Sequence, residues 1–216
     1  MTVKGVIFDM DGVVFDSESL WKKGFIECNK IYGVSLSEEF RQSICGKSEK
    51  LIRDEIRVLE PNLDVDKYRD HMIEMVNEDI KAGNFTVKDN FLEIVDYLKG
   101  KGYKIALATS SFKSRAMDMF KKKGLNLEEI FDAASFLEDV GANSKPNPYI
   151  FKITADKLNV KYDECVVLED SINGIHAAVN GGMIPVHVLD IIKPDEFCKE
   201  HCYRLIENLG ELKGII

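Results

Sequence analysis

Four short polar clusters in this sequence contain the residue types that phosphoryl transfer needs. Asp9-Met10-Asp11-Gly12 follows the apolar run Val6-Ile7-Phe8, and Thr109-Ser110-Ser111 follows the run from Ile105 to Ala108. Lys145 stands in Ser144-Lys145-Pro146-Asn147-Pro148, and Glu169-Asp170-Ser171 follows Val166 to Leu168, with Gly174 beyond. A carboxylate is a weak nucleophile, but as an acyl phosphate it splits a difficult displacement into two easier steps. It must approach a group that is already anionic, and a hard cation such as Mg²⁺, held by a few oxygens, removes that repulsion. Asp9 and Asp170 are natural ligands for the ion, with Glu169 in support. Hydroxyl and backbone donors at Thr109 and Ser110 can hold phosphoryl oxygens, and Lys145 can neutralise the remaining charge. Asp11 is placed to protonate a leaving oxygen and then to activate water. Gly12 permits the sharp departure of the chain that follows.

These clusters work together only if they meet at one edge. In open parallel sheets, ligands bind beyond the carboxyl ends of the strands. The continuous apolar runs predict buried strands at Val3 to Phe8, Ile105 to Ala108, Val166 to Leu168 and Ile184 to Leu189. Helical patterns lie between them, at about Lys113 to Lys123, Pro148 to Leu158 and Ser171 to Asn180. That alternation predicts an α/β fold, a doubly wound parallel sheet covered on both faces.

From Asp16 to about Ala82 the pattern changes. Trp21, Phe25, Cys28 and Tyr32 recur at spacings of four, three and four; Ile52, Ile56 and Leu59 form a second stripe, and Met72, Val76 and Ile80 a third. The spacing predicts a helical bundle inserted after the first strand, with hinges near Asp16-Ser17 and Gly83-Asn84. Residues 1–15 and 84–216 would form the α/β core, and 16–83 a helical cap of the kind that closes over an active site.

The segment from Phe8 to Glu18, Phe-Asp-Met-Asp-Gly-Val-Val-Phe-Asp-Ser-Glu, closely resembles the first motif of the haloacid dehalogenase superfamily. It is most similar to the β-phosphoglucomutase-like branch, which includes many sugar-phosphate phosphatases. Thr109-Ser110-Ser111, Lys145-Pro146 and Glu169-Asp170-Ser171 resemble the later motifs, in order. The resemblance implies that Asp9 is the nucleophile and that Asp11 is the acid/base, lending its backbone carbonyl to Mg²⁺. It makes Asp170 the third protein ligand.

Within that branch the resemblance separates mutase from phosphatase at the cap. The sugar-phosphate mutases carry a histidine where this chain has Trp21, and a lysine where it has Cys45, just before Gly46. They grip the substrate's second phosphate with an arginine where this chain has Glu49, whose charge would repel it. Lys47 or Lys50 could compensate, and Trp21 and Lys47 are the first candidates for substrate contact, with Lys113 also to be inspected. A mutase must hold a bisphosphate by both ends and exclude water, whereas a phosphatase needs one grip and must admit water. The expectation is a phosphatase for a small phosphorylated metabolite such as a sugar or sugar-alcohol phosphate, with β-phosphoglucomutase the second reading. A non-catalytic phosphate- or Mg²⁺-binding regulator is disfavoured because Asp9, Asp11, Lys145 and Asp170 are all present.

Composition bounds the remaining classes. A net charge of −8 argues against nucleic acid or an anionic membrane as partner. The 45% hydrophobic content can fill a core, and no apolar run approaches the ~18 residues of a membrane span. Five scattered cysteines, without a CxxC pair or a secretion signal, suggest reduced thiols in the cytoplasm, and a monomer is expected because no unmatched apolar stripe stands outside the helix patterns. Cys198, His201 and Cys202 lack a fourth metal ligand, and His176 and His187 are expected to be satisfied structural histidines.

Overall fold

The computed structural model describes residues 2–44, 47, 49–141, 143–191 and 193–216. At its centre is β1 (Gly5–Phe8), four residues with no exposed surface on either side of the sheet. Val6 and Phe8 enter one core and Ile7 the other, as alternation along a strand requires. The short strands β2 (Phe15–Asp16) and β3 (Thr86–Val87) pair antiparallel, so the chain leaves for the helical segment and returns from it side by side. The sheet then continues with β4 (Lys104–Ala108), β5 (Ala133–Ser135), β6 (Cys165–Glu169), β7 (Ile184–Val188) and β8 (Arg204–Ile206). Its order is β5-β4-β1-β6-β7-β8, and every pairing is parallel.

The inserted segment holds α1 (Glu18–Tyr32), α2 (Glu38–Ile44), α3 (Glu49–Leu59) and α4 (Val65–Ala82). They bury a cluster of their own, with Phe25 and Cys28 packed on Ile52, Ile56, Tyr68 and Met72. Leu59 departs from its expected stripe: it is the last residue of α3 and lies exposed where the chain turns away. Gly83 caps α4 in the left-handed conformation, φ 79°, and the chain re-enters the core at β3. The predicted helices are α6 (Lys113–Lys122), α9 (Tyr149–Leu158) and α10 (Ile172–Asn180), which follow α5 (Phe91–Gly100) and are interspersed with the single turns α7 (Leu127–Ile130) and α8 (Leu137–Val140). A last short helix, α11 (Glu196–His201), precedes β8. Side chains of α5 and α6 cover one face of the sheet, and those of α9 and α10 the other. Among the described residues no helix is long and apolar enough to cross a membrane.

His187 corrects one expectation. It is fully buried in β7, yet neither ring nitrogen has a hydrogen-bond partner among the described residues, and burial lowers its pKa toward the neutral form.

The core around β1 is aromatic. Phe8 meets Phe91 edge-on at 5.9 Å and Phe131 at 5.8 Å. Removing such a ring leaves a cavity as well as losing its transfer energy, so Phe8→Ala should cost about 3–5 kcal/mol. Urea denaturation measures this directly, and a loss below about 1 kcal/mol would contradict the packing described.

Candidate active site

Sheet order determines where the polar residues meet. From β1 the chain proceeds outward to β4 and β5 on one side, then returns to build β6, β7 and β8 on the other. The crevice at such a reversal lies beyond the carboxyl end of the central strand. Phe8 pairs with Leu107 and with Leu168, so Asp9 emerges level with the ends of β4 and β6. Asp9, Thr109, Ser110, Lys145, Glu169 and Asp170 therefore line one cavity of about 250 Å³.

Asp9 is anchored by its backbone N–H, which donates to the Leu168 carbonyl at 3.0 Å. The Lys145 ammonium donates to Asp9 Oδ1 at 2.5 Å and to Glu169 Oε1, with all three side chains nearly inaccessible. Glu169 Oε2 accepts from the Ser171 N–H at 2.9 Å and from its hydroxyl at 2.8 Å, and the same hydroxyl caps α10 by accepting from the Gly174 N–H. Both glycines near these acids are there for space. A Cβ on Gly12, whose φ is +79°, would lie 2.1 Å from Asp170 Oδ2, and one on Gly174 would fall 1.9 Å from the Glu169 carboxyl carbon.

Three buried carboxylates, on Asp9, Glu169 and Asp170, offer oxygens within 4.8 Å of one another and face one ammonium. Fully ionised, that set carries two uncompensated negative charges, so a hard divalent cation fits both its charge and its oxygen donors. The titration behaviour expresses the same imbalance. Burial, opposed by Lys145 and reinforced by Glu169 and Asp11, pushes Asp9 up to about 8. Burial together with Glu169 and Asp9 raises Asp170 well above the usual carboxylate range. Burial works to lower the Lys145 ammonium, but Asp9 and Glu169 outweigh it and hold the group charged, above the ordinary lysine range. Both Glu169 oxygens are already engaged by Lys145 and Ser171, so it orients the lysine as much as it adds charge to the cluster.

Asp11 stands apart from that cluster. Ser17 donates to its Oδ1 at 2.5 Å, Ser111 to its Oδ2 at 3.0 Å, and Arg115 Nη2 to Oδ1 at 2.8 Å. Arg115 also donates to the Ser111 hydroxyl at 2.9 Å, while its buried Nε has no partner among the described residues. Sequence reasoning gave roles to Thr109 and Ser110 but none to Ser111, and it missed Arg115. Its signal is modest: a cation four residues after Ser111, in the first turn of α6, falls on the helix face that points back to the motif. Thr109 is buried and its Oγ1 accepts from the Ser111 N–H at 3.0 Å, leaving its own proton to donate; Ser110 is exposed to the cavity.

The helical segment supplies the opposite wall. Trp21 and Lys47 line the cavity, but Lys47 is held by both oxygens of Glu55 at 2.8 and 2.9 Å. Lys50 is bound to Asp54 and points outward. Glu49 is not the isolated repulsive charge that its position suggests: Arg69 pairs with it, and Arg53 stands 3.5 Å away. Lys113 lies over the Phe136 ring rather than in the cavity lining. Cys45 and Gly46 lie outside the described residues.

A parallel sheet with its acids and lysine at the reversal point, and a helical segment inserted after β1, define a class of hydrolases. The family profile of the haloacid dehalogenase-like hydrolases matches residues 3–182, and the chain belongs to that family. It is 32% identical over 217 residues to a phosphorylated carbohydrates phosphatase of Thermotoga maritima, covering 99% of this chain and 90% of that protein. It is 28% identical over 186 residues to the fructose-1-phosphate phosphatase YqaB of Escherichia coli, covering 85% of this chain and 95% of the relative. A solved β-phosphoglucomutase from Clostridium difficile superposes with a TM-score of 0.77 at 20% identity, over 98% of this chain and 93% of that one, which establishes a common fold.

The pKa pattern has a consequence for metal binding. Asp9 is raised above its ordinary value of 3.8, so the stability it contributes is complete below that value and is lost as pH rises through about 8. A divalent cation held by Asp9 and Asp170 would compete with protons for their oxygens. Added Mg²⁺ is therefore expected to raise Tm more at about pH 8.5 than at about pH 6, with proton release detectable by calorimetry in buffers of different ionisation enthalpy. An equal shift at both pH values would contradict the assignment.

Proposed function

We propose that this chain is a Mg²⁺-dependent phosphatase that hydrolyses a small phosphorylated metabolite, a sugar or sugar-alcohol phosphate, through a phosphoryl group carried on Asp9. The observation that carries this reading is the Lys145-tied carboxylate of Asp9 at the sheet's reversal point, among acids suited to a divalent ion. The phosphatases among its relatives support the reaction class.

The residues divide the work as follows. Mg²⁺, held by Asp9, Asp170 and the Asp11 backbone carbonyl, would neutralise phosphoryl charge and admit the anionic substrate. Asp9 attacks phosphorus with a carboxylate oxygen; the bond from phosphorus to the substrate oxygen breaks, and Asp11 gives that oxygen a proton. Thr109, Ser110 and Lys145 hold the phosphoryl oxygens during transfer. Asp11, now ionised, takes a proton from water as it attacks phosphorus, which releases phosphate and restores Asp9. Glu169 keeps Lys145 in place. Residues 16–83 act as the cap, and pairing of β2 with β3 makes their junction the hinge. Water is the final acceptor because the cap wall opposite Asp9 carries no cation free of a carboxylate partner among its described residues.

Two substitutions test the roles. Asp9→Asn should lower turnover of sugar phosphates by about 10⁴-fold or more while the fold, monitored by circular dichroism, remains. Asp11→Asn should cost about 10²–10⁴-fold with the same substrates. With p-nitrophenyl phosphate, whose leaving group needs no proton, it should instead give a stoichiometric burst of nitrophenolate followed by slow release of phosphate. Glucose 6-phosphate accumulating from β-glucose 1-phosphate with little free phosphate would contradict hydrolysis as the reaction.

A further inference from the structure

The cavity wall opposite Asp9 has an unusual charge pattern. It contains Arg41, Lys47 and Arg69, yet each is already matched: Arg41 by Glu38 at 2.8 Å and Glu18 at 3.5 Å, Lys47 by Glu55, and Arg69 by Glu49. The last pair is the most constrained. Arg69 is only 4% exposed, donates through Nε to Glu49 Oε2 at 3.3 Å and through Nη2 to Oε1, and lies over the Trp21 ring at 5.6 Å. Its remaining Nη1 faces the Met72 sulfur at 3.1 Å. Glu49, by contrast, is 44% exposed and can accept further hydrogen bonds.

A ligand reaching this wall meets a neutralised guanidinium–carboxylate fork beside an indole. Among the described residues of this wall a second phosphate finds no cation without a carboxylate partner, so it must lie against the Glu49 carboxylate or break a buried pair, leaving a charge unpaired. An uncharged hydroxylated chain meets neither penalty. Its hydroxyls can donate to Glu49 while its carbon framework lies on Trp21. The cavity, about 250 Å³, falls below the roughly 300–1,000 Å³ of sites for drug-sized ligands and suits a small metabolite.

We infer that Trp21, Glu49 and Arg69 form a selectivity wall that accepts the neutral, hydroxyl-bearing end of a phosphate monoester and rejects a substrate with a second phosphate there. The inference rests on the phosphatase reading and narrows its substrate class. Glu49 sets the sign of the discrimination, Trp21 provides the apolar platform, and Arg69 holds both in register.

The test compares kcat/KM of the Mg²⁺-loaded enzyme for fructose 1-phosphate and fructose 1,6-bisphosphate. The wild type should favour the monophosphate by at least about tenfold, equivalent to about 1.4 kcal/mol. Glu49→Gln keeps the shape but removes the charge, so it should move that ratio toward the bisphosphate by at least about fivefold. A second variant guards against a folding artefact. Trp21→Leu should raise KM for fructose 1-phosphate about fivefold more than for methyl phosphate, which is too short to reach the wall. A ratio unmoved by Glu49→Gln, or a wild type that prefers the bisphosphate, would overturn the inference while leaving the phosphatase reading intact. Equal KM effects on the two Trp21→Leu substrates would also overturn it. A wild type that hydrolyses no monoester would overturn both.

Discussion

The constraint on which this structure turns is the burial of three carboxylates against one ammonium. Such a set is costly in a folded core, because each ionised oxygen gives up water and repels its neighbours. The chain tolerates it only through close geometric support. Lys145 bridges Asp9 and Glu169, Ser171 holds the far side of Glu169, and Gly12 and Gly174 leave the space that Asp170 and Glu169 occupy. The aromatic packing around Phe8 keeps β1 in register with β4 and β6, so that Asp9 emerges where these groups converge. Strain of this electrostatic kind is characteristic of sites that do chemistry, where perturbed titration and charge imbalance await a ligand.

Around that centre the labour is divided between the two faces of the cavity. The core face carries the charge-handling groups. Asp11 belongs to it, but its carboxylate is turned into a separate network with Ser17, Ser111 and Arg115. Ser17 lies at the junction between the β2 strand and α1, so the group proposed to move protons is tied directly to the point where the chain enters the inserted helices. The helical face contributes shape, an aromatic surface and paired charges. Under the proposed function, one end of the cavity would take the phosphate and the other would read the rest of the substrate by hydroxyl and carbon contacts.

Much of this was legible in the sequence, for definite reasons. Strands buried on both faces read as continuous apolar runs, so β1, β4, β6 and β7 were visible, and the polar residues after β1, β4 and β6 pointed to the candidate site. Most helices with a single apolar stripe were equally clear, but α5 was not named although Phe91, Ile94, Val95 and Leu98 form such a stripe. The edge strands β5 and β8 were not, because Ala-Ala-Ser and Arg-Leu-Ile carry no such run. The motif acids were legible because their chemistry demands those types at strand ends, and Lys145, in the loop between α8 and α9, because its motif follows them in order. Arg115 was hidden because its role depends on a helix face meeting a residue more than a hundred positions away. The pairing of Glu49 was hidden for a related reason: its partner Arg69 comes from another helix, and pairing between helices leaves no local spacing to read.

The central claim is that Asp9 carries the phosphoryl group during turnover. Its most direct test is rapid acid quench of the Asp11→Asn enzyme with substrate and Mg²⁺, followed by mass spectrometry of the proteolytic peptides. The account predicts a phosphoryl adduct on the peptide containing Asp9, localised to that carboxylate and absent from Asp9→Asn. Substrate consumed with no adduct, or an adduct at another residue, would contradict it.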